Sequence, residues 1–318
     1  MKIAVIDDYQ GAFSKTTAYP RLKGHDVVVY NDTEKDPGKL AARLEDADAV
    51  VLTQQRSRFP REVIECLPKL KLISQTGRNA SHIDVAAAAE KGIVVSAGGG
   101  GSPSPTAELT WAIILAGLRH IPEEVQHMKE GKWQSTVGVG LKDRTLGVYA
   151  YGRIGSIVAG VGRAFGMKVT CWGREGSTAK AREAGYEIAA SREAFFEGAD
   201  IVSLHLPLNK DTRGIVTAQD LARMKPTAMI VNTSRAPIIE KGALEAALKK
   251  GRPGMAAVDV YEDEPMLDAN HPLLKMKNVI CTPHLGYVEE RGYENIYGVA
   301  VEQILAFAQG KPINVVTA

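Results

Sequence analysis

Three polar segments in the C-terminal half each follow a short apolar run. Asn232-Thr233-Ser234-Arg235 follows one, Asp259-Val260-Tyr261-Glu262-Asp263-Glu264-Pro265 the next, and Thr282-Pro283-His284-Leu285-Gly286 the last. If the runs are parallel strands, their loops leave the sheet at one edge, and an arginine, a carboxylate and a histidine gather there. That set suits chemistry at a 2-hydroxy acid. Arginine clamps a carboxylate and polarises a carbonyl. Histidine titrates near neutrality and can exchange a hydroxyl proton. A carboxylate on the other ring nitrogen fixes the tautomer. Taken singly, each residue has an ordinary reading: Arg235 as a helix-cap ion pair, Glu264 as a solvated loop charge, His284 as a satisfied loop histidine. Their shared placement favours the chemical reading.

The stretch from Thr145 to Glu175 must position a second reactant. Thr145–Ala150 reads as a buried parallel strand. Ala150-Tyr151-Gly152-Arg153-Ile154-Gly155 is an A-x-G-x-x-G turn. A helix follows with Ile154, Ile157, Val158, Val161 and Phe165 on one face, and Met167–Trp172 returns as a strand. A βαβ unit with glycines in its first turn is a dinucleotide-binding signature. Gly152 lets backbone approach a pyrophosphate, Gly155 lets the helix pack on the strand, and the helix N-terminus offers N–H groups to an anion. Ala150 replaces the first glycine and is expected to take an ordinary φ. Gly173 stands where a ribose-binding carboxylate is usual, and Arg174 follows, so the pattern favours NADP over NAD, with Glu175 as a competing neighbour.

Composition excludes several classes. The 318 residues carry 39 basic and 37 acidic side chains, a net charge of +2, which gives no electrostatic case for nucleic acid or an anionic membrane. No apolar run reaches the roughly 20 residues that span a bilayer. MKIAVIDDYQ reads as a strand rather than a signal peptide. Cys66, Cys171 and Cys281 are far apart and suit buried reduced thiols in the cytoplasm, with no metal site.

The length suggests about two domains. Apolar strands are expected at 3–6, 26–30, 49–52, 72–75 and 92–95, with helices at 39–44 and 85–91. Asp7 and Asp8 read as a solvated strand end. After the fourth strand, Gly77, Arg78 and Asn79 can present N–H groups to a carboxylate, or form an ordinary turn with Asp84 capping the next helix. His82 reads as structural. Four glycines and two prolines between Ser96 and Pro105 mark a boundary suited to a hinge. A helix starts near Thr106, with His120 and His127 at its far end. Strands continue at 200–206, 228–232, 255–260 and 279–281, with a helix at 241–250 and a long one at 289–309 that most simply returns to the first domain.

The chain resembles the D-isomer-specific 2-hydroxyacid dehydrogenase family (phosphoglycerate dehydrogenase-like) over nearly its whole length. YGRIG, LHLPLNKDTRGIV, MKPTAMIVNTSRAPIIE, AAVDVYEDEP and TPHLGY carry the resemblance in order and spacing. It implies an α/β protein of two doubly wound parallel-sheet domains. A Rossmann nucleotide domain at 103–284 is inserted into a flavodoxin-like substrate domain of residues 1–102 and 285–318, with an active site in the cleft. It implies Arg235 as substrate clamp, Glu264 rather than Glu262 as the partner of the histidine, and His284 as acid/base. Gly77, Arg78 and Asn79 would hold the substrate carboxylate. NAD(P) would meet Thr106, Tyr151, Gly152, Arg153, Ile154, Gly155, Gly173 and Arg174. On the later loops it would meet His205, Leu206, Pro207, Thr212, Thr233, Ser234, Asp259 and Gly286. A homodimer through the nucleotide domain is also implied. Ala150, Asn79, Ala236 and Ala257 stand where family members often carry glycine. The expected activity is hydride transfer between NAD(P)H and a small 2-oxo acid, giving a D-2-hydroxy acid. Phosphoglycerate dehydrogenase activity is one alternative, and a non-enzymatic nicotinamide-sensing corepressor-like protein is another.

Overall fold

The computed structural model describes residues 1–317 and divides the chain into two compact units. One comprises Met1–Ser102 with the segment from Tyr287 onward, the other Pro103–Gly286. In the first unit β1 (Lys2–Ile6), β2 (Asp26–Val29), α1 (Pro37–Leu44), β3 (Ala49–Leu52), α2 (Arg61–Glu65), β4 (Leu72–Gln75), α3 (Val85–Glu90) and β5 (Val94–Ala97) alternate. The strands pair in parallel in the order β2-β1-β3-β4-β5, the flavodoxin-like arrangement. Strand alternation splits the core. Ala4, Ile6, Val50, Leu52 and Ile73 pack with α1, α2 and α3, while Ile3, Val5, Val51 and Leu72 face the other way.

The middle unit opens with α4 (Ser104–Leu118) and α5 (Ile121–Lys129). It continues through β6 (Thr145–Tyr149), α6 (Arg153–Ala164), β7 (Lys168–Trp172), α7 (Glu175–Glu183), β8 (Glu187–Ile188), α8 (Arg192–Gly198) and β9 (Ile201–Leu204). It ends with α9 (Ala218–Arg223), β10 (Met229–Asn232), α10 (Ala243–Lys249), β11 (Met255–Val258) and β12 (Val279–Cys281). Seven parallel strands run β12-β11-β10-β9-β6-β7-β8, a doubly wound order that reverses between β6 and β9. The strands at its centre are buried on both faces, as their apolar sequences require.

The chain then returns to the first unit as α11 (Glu290–Ala308). Ile296, Tyr297, Ala300, Val301 and Ile304 cover the second sheet face with Phe13. Leu285 and Gly286 belong with the middle unit, where their N–H groups bond Asp259.

Several expectations are corrected. Asp7 and Asp8 are buried rather than solvated. Asp8 accepts from the N–H groups of Ala12 and Phe13 at 2.8 and 2.9 Å, capping the short turn that follows. Asp7 accepts from the Thr33 hydroxyl at 2.5 Å, and burial raises its carboxyl above the usual range. β5 lies two residues later than expected, because Ile93 packs into the core beside α3 before the strand begins. His120 adopts φ 52°, which separates α5 from α4, so His127 belongs to its own helix. Phe165 caps α6 and stays 43% exposed, touching Trp111 at 5.2 Å between centroids, while Val158, Ala159 and two glycines make the buried face. Cys66 is exposed; only Cys171 is fully buried, and burial pushes its thiol up to about 12.

Candidate active site

Three loops at the carboxyl edge of the middle sheet are locked by side chain to backbone bonds. After β10, Asn232 accepts from the Ser234 N–H and donates to the Arg235 carbonyl, both at 3.0 Å. Ser234 donates its hydroxyl to the Leu204 carbonyl at the end of β9, 2.7 Å away. Arg235 is thereby presented from a fixed loop with its side chain exposed. Its Nη1 donates to the Ser234 carbonyl at 2.7 Å.

After β11, Asp259 is wholly buried. Its Oδ1 accepts from the Thr282 hydroxyl at 2.6 Å and the Leu285 N–H at 2.7 Å, and its Oδ2 from the Gly286 N–H at 2.9 Å. Burial still raises this carboxyl above its ordinary value. Asp259 therefore clamps the loop that carries His284. That loop is strained, with His284 at φ 52° in a left-handed conformation unfavourable for a β-carbon. Its Nδ1 lies 2.6 Å from Glu264 Oε2, and each side chain is 17% exposed. The other oxygen, Oε1, accepts from the Tyr261 N–H at 2.9 Å, which fixes the carboxylate plane. A carboxylate only accepts, so the Nδ1 proton faces Glu264 and the tautomer is set.

The glycine turn sits at the same edge, after β6. Ala150 takes φ 74° against expectation. Its N–H donates to Trp172 and its carbonyl accepts from Gly152, at 2.8 and 3.0 Å, so the pairing to β7 holds a conformation that costs an alanine about 1 kcal/mol. A β-carbon on Gly155 would stand 2.4 Å from the Ala150 carbonyl oxygen, whereas one on Gly152 would meet nothing within 4 Å. The helix thus seats hard on the strand while open space remains before Gly152, and α6 has no side-chain cap. Its first-turn N–H groups suit the pyrophosphate of a dinucleotide.

Other expected cofactor residues surround this edge. His205 shares its Nε2 with the Ser203 hydroxyl at 2.9 Å; its Nδ1 is buried and unpartnered, and burial takes its pKa down to about 4. An orphaned ring nitrogen beside the switch point fits a ligand hydrogen bond. Several hydroxyls also hold the frame: Thr106 donates to Gly286, Thr212 to Pro207, and Thr233 pairs with Thr110. Leu206 is buried and Pro207 exposed, while Tyr151 packs on Tyr186. Ser177, which the sequence did not single out, accepts from the Tyr151 N–H at 2.7 Å and lies against Gly173. Arg174 is exposed and precedes α7, and no ion pair engages it among the described residues. Glu175 instead points along its helix toward Arg182, at 3.9 Å.

In the first unit, Gly77, Arg78 and Asn79 leave β4 as a surface loop. Asn79 Oδ1 accepts from the Ser81 N–H at 2.9 Å, and Asp84 caps α3 through the Ala87 N–H at 2.8 Å. His82 is enclosed with both ring nitrogens unpartnered, and burial lowers it to about 4. Among the described residues no cluster of side chains suits a metal ion.

A family model described as "D-isomer specific 2-hydroxyacid dehydrogenase, NAD binding domain" matches residues 111–286. The chain belongs to the D-isomer-specific 2-hydroxyacid dehydrogenases. It is 37% identical over 305 residues to a glyoxylate reductase of Aeropyrum pernix, covering 92% of this chain and 90% of that one. It is also 37% identical to a D-3-phosphoglycerate dehydrogenase of Methanocaldococcus jannaschii, over 86% of this chain but only 52% of that protein. A solved phosphoglycerate oxidoreductase from Vibrio cholerae superposes with a TM-score of 0.94 at 46% identity, over 98% of this chain and 99% of its own. This dehydrogenase is therefore an oxidoreductase of CH–OH groups whose middle unit binds a nicotinamide dinucleotide.

Proposed function

We propose that this dehydrogenase interconverts small 2-oxo acids and D-2-hydroxy acids, with NADP favoured over NAD. The observation that carries the reading is the 2.6 Å bond between His284 Nδ1 and Glu264 Oε2, in a loop clamped by Asp259. With Nδ1 committed to Glu264, His284 exchanges a proton with the C2 oxygen through Nε2. Glu264 holds the ring in place and balances its charge when doubly protonated. Arg235 serves as the substrate clamp and polarises the carbonyl. In the first unit, the Gly77, Arg78 and Asn79 backbone is assigned to the substrate carboxylate. When bound, the reduced nicotinamide supplies the hydride. Gly152, Gly155 and the first turn of α6 hold the pyrophosphate, with His205, Thr233 and Ser234 along the same edge. The preference for NADP rests on Arg174, since Glu175 turns to Arg182 and leaves the guanidinium for a 2′-phosphate.

The reading includes a homodimer through the nucleotide unit. α5 exposes Ile121, Val125 and Met128 at helical spacing, and Trp133 and Val137 beyond it are 74% and 92% exposed. So much apolar surface on one segment suits a second copy. A cytoplasmic location is part of the same proposal and rests on the three free thiols.

Loss of reduced nicotinamide absorbance with glyoxylate, hydroxypyruvate, pyruvate and a branched 2-oxo acid, run with NADPH and NADH, tests the reading. 3-Phosphohydroxypyruvate in the same panel separates phosphoglycerate dehydrogenase activity. Turnover favouring NADPH supports the role of Arg174, and turnover favouring NADH overturns it. His284→Ala should lose most turnover while binding cofactor normally; near-normal turnover refutes the mechanism. Binding of both cofactors without turnover of any acid would favour the sensing protein instead.

A further inference from the structure

The carboxyl edge of the first unit's sheet carries buried polar atoms that the proposed reaction leaves unused. Gln75 ends β4, two residues before Gly77. Its side chain is fully buried, yet neither Oε1 nor Nε2 has a hydrogen-bond partner. A buried amide in that state has given up its bonds to water and points to a missing partner. Two further carboxamides turn toward the same spot. From the position a β-carbon on Gly77 would take, Gln54 Oε1 lies 3.5 Å away, Gln75 Nε2 3.7 Å and Gln55 Nε2 3.9 Å. The arrangement is built rather than incidental. Gln54 adopts φ 57°, unfavourable for any residue but glycine, and its N–H donates to the Thr76 hydroxyl at 2.9 Å. That bond ties the end of β3 to the end of β4 and holds the amides around Gly77.

We propose that Gln75 selects a 2-oxo acid bearing a hydroxyl on the carbon next to the carbonyl. The inference rests on the reading that the Gly77–Asn79 backbone receives the substrate carboxylate, because the third carbon of such an acid lies two bonds from that group. A hydroxyl both donates and accepts, so one such group satisfies Gln75 Oε1 and Nε2 together. Hydrogen, as in glyoxylate, or methyl, as in pyruvate, leaves both amide atoms unmet. A phosphate ester only accepts, so it answers Nε2 while setting an oxygen against Oε1. Sites built to bond a substrate hydroxyl reject the analogue that lacks it, because the protein's own polar atoms are then stranded.

The test compares kcat/KM for hydroxypyruvate, pyruvate and glyoxylate in the full chain and in Gln75→Leu. The parent should favour hydroxypyruvate over pyruvate by roughly ten- to a hundredfold, and Gln75→Leu should bring that ratio to within about threefold. Equal kcat/KM for the two acids in the parent overturns the inference without any variant, so a Gln75→Leu that fails to fold does not shield it. A preference that survives the substitution at full size, with only the melting temperature lowered, also overturns it and assigns the amide to a buried water. Turnover of none of the three acids removes the reductase reading and this inference with it, an outcome distinct from equal turnover.

Discussion

Glu264→Gln isolates what the carboxylate contributes to His284. The substitution keeps size and shape, but the two faces of the new amide differ. The Tyr261 N–H donates to Oε1 at 2.9 Å and needs an acceptor opposite it, so the amide oxygen must take that side. The NH2 group then faces His284 Nδ1 across the 2.6 Å now spanned by the carboxylate bond. A donor there makes Nδ1 an acceptor and moves the ring proton to Nε2, and it opposes the doubly protonated ring. A hydrogen bond to a charged group is worth about 1.5–3 kcal/mol, and that support for the imidazolium formed in the reaction is lost. With the tautomer reversed, kcat for 2-oxo acid reduction should fall by roughly a hundred- to a thousandfold. The assay is steady-state reduction at neutral pH, paired with a fluorescence titration of NADPH. Cofactor affinity should stay within about twofold, since this bond meets no cofactor group as assigned. A Glu264→Gln enzyme with kcat within about threefold of the parent would refute the reasoning.

Other perturbations follow from the same geometry. Gly155→Ala places a methyl 2.4 Å from the Ala150 carbonyl oxygen and 3.2 Å from Val148 Cγ1; calorimetry should show a loss of about 1–3 kcal/mol, and the dinucleotide should bind more weakly. Gly152→Ala, with nothing within 4 Å of its methyl, should weaken dinucleotide binding with little change in melting temperature. His205 is held neutral when folded, with a pKa of about 4 against an ordinary 6.5. The unfolded chain binds its proton first as pH falls, so that contribution is full above about pH 6.5 and fades toward pH 4, by up to about 3 kcal/mol. Urea titrations from pH 7 to 4.5 should show that slope, flatter in His205→Gln. Val125→Glu should convert a dimer to a monomer by sedimentation while leaving the circular dichroism of the parent; an unchanged dimer would move the interface elsewhere.

Local signals carried much of this protein. Ala49–Leu52 is apolar throughout and buried along its length, and a strand covered on both faces needs nothing more, so its limits were readable. The glycine turn and the arginine, glutamate and histidine at successive strand ends were readable because parallel order sends every such loop to one edge. α7 was not readable: its nine residues are mostly polar and bury only Thr178 and Ala181, so no apolar stripe marks it. α8 did leave a signal in Ser191, whose side chain caps the helix through the Ala194 N–H ahead of Phe195 and Phe196.

What the sequence determined, then, is what repeats or punctuates locally: strand runs, the helix-opening turn and the residue types at strand ends. What only the tertiary structure decided depends on partners far along the chain. Asp8 looks like a solvated strand end until the folded turn brings the Ala12 and Phe13 N–H groups onto it. Ala150 is forced to a positive φ by pairing with Trp172, 22 residues on. Asp259 becomes a clamp on the His284 loop, and Gln75 a stranded amide, through neighbours set by strand register. Burial and hydrogen-bond partnership are properties of the packed chain, and no window of sequence contains them.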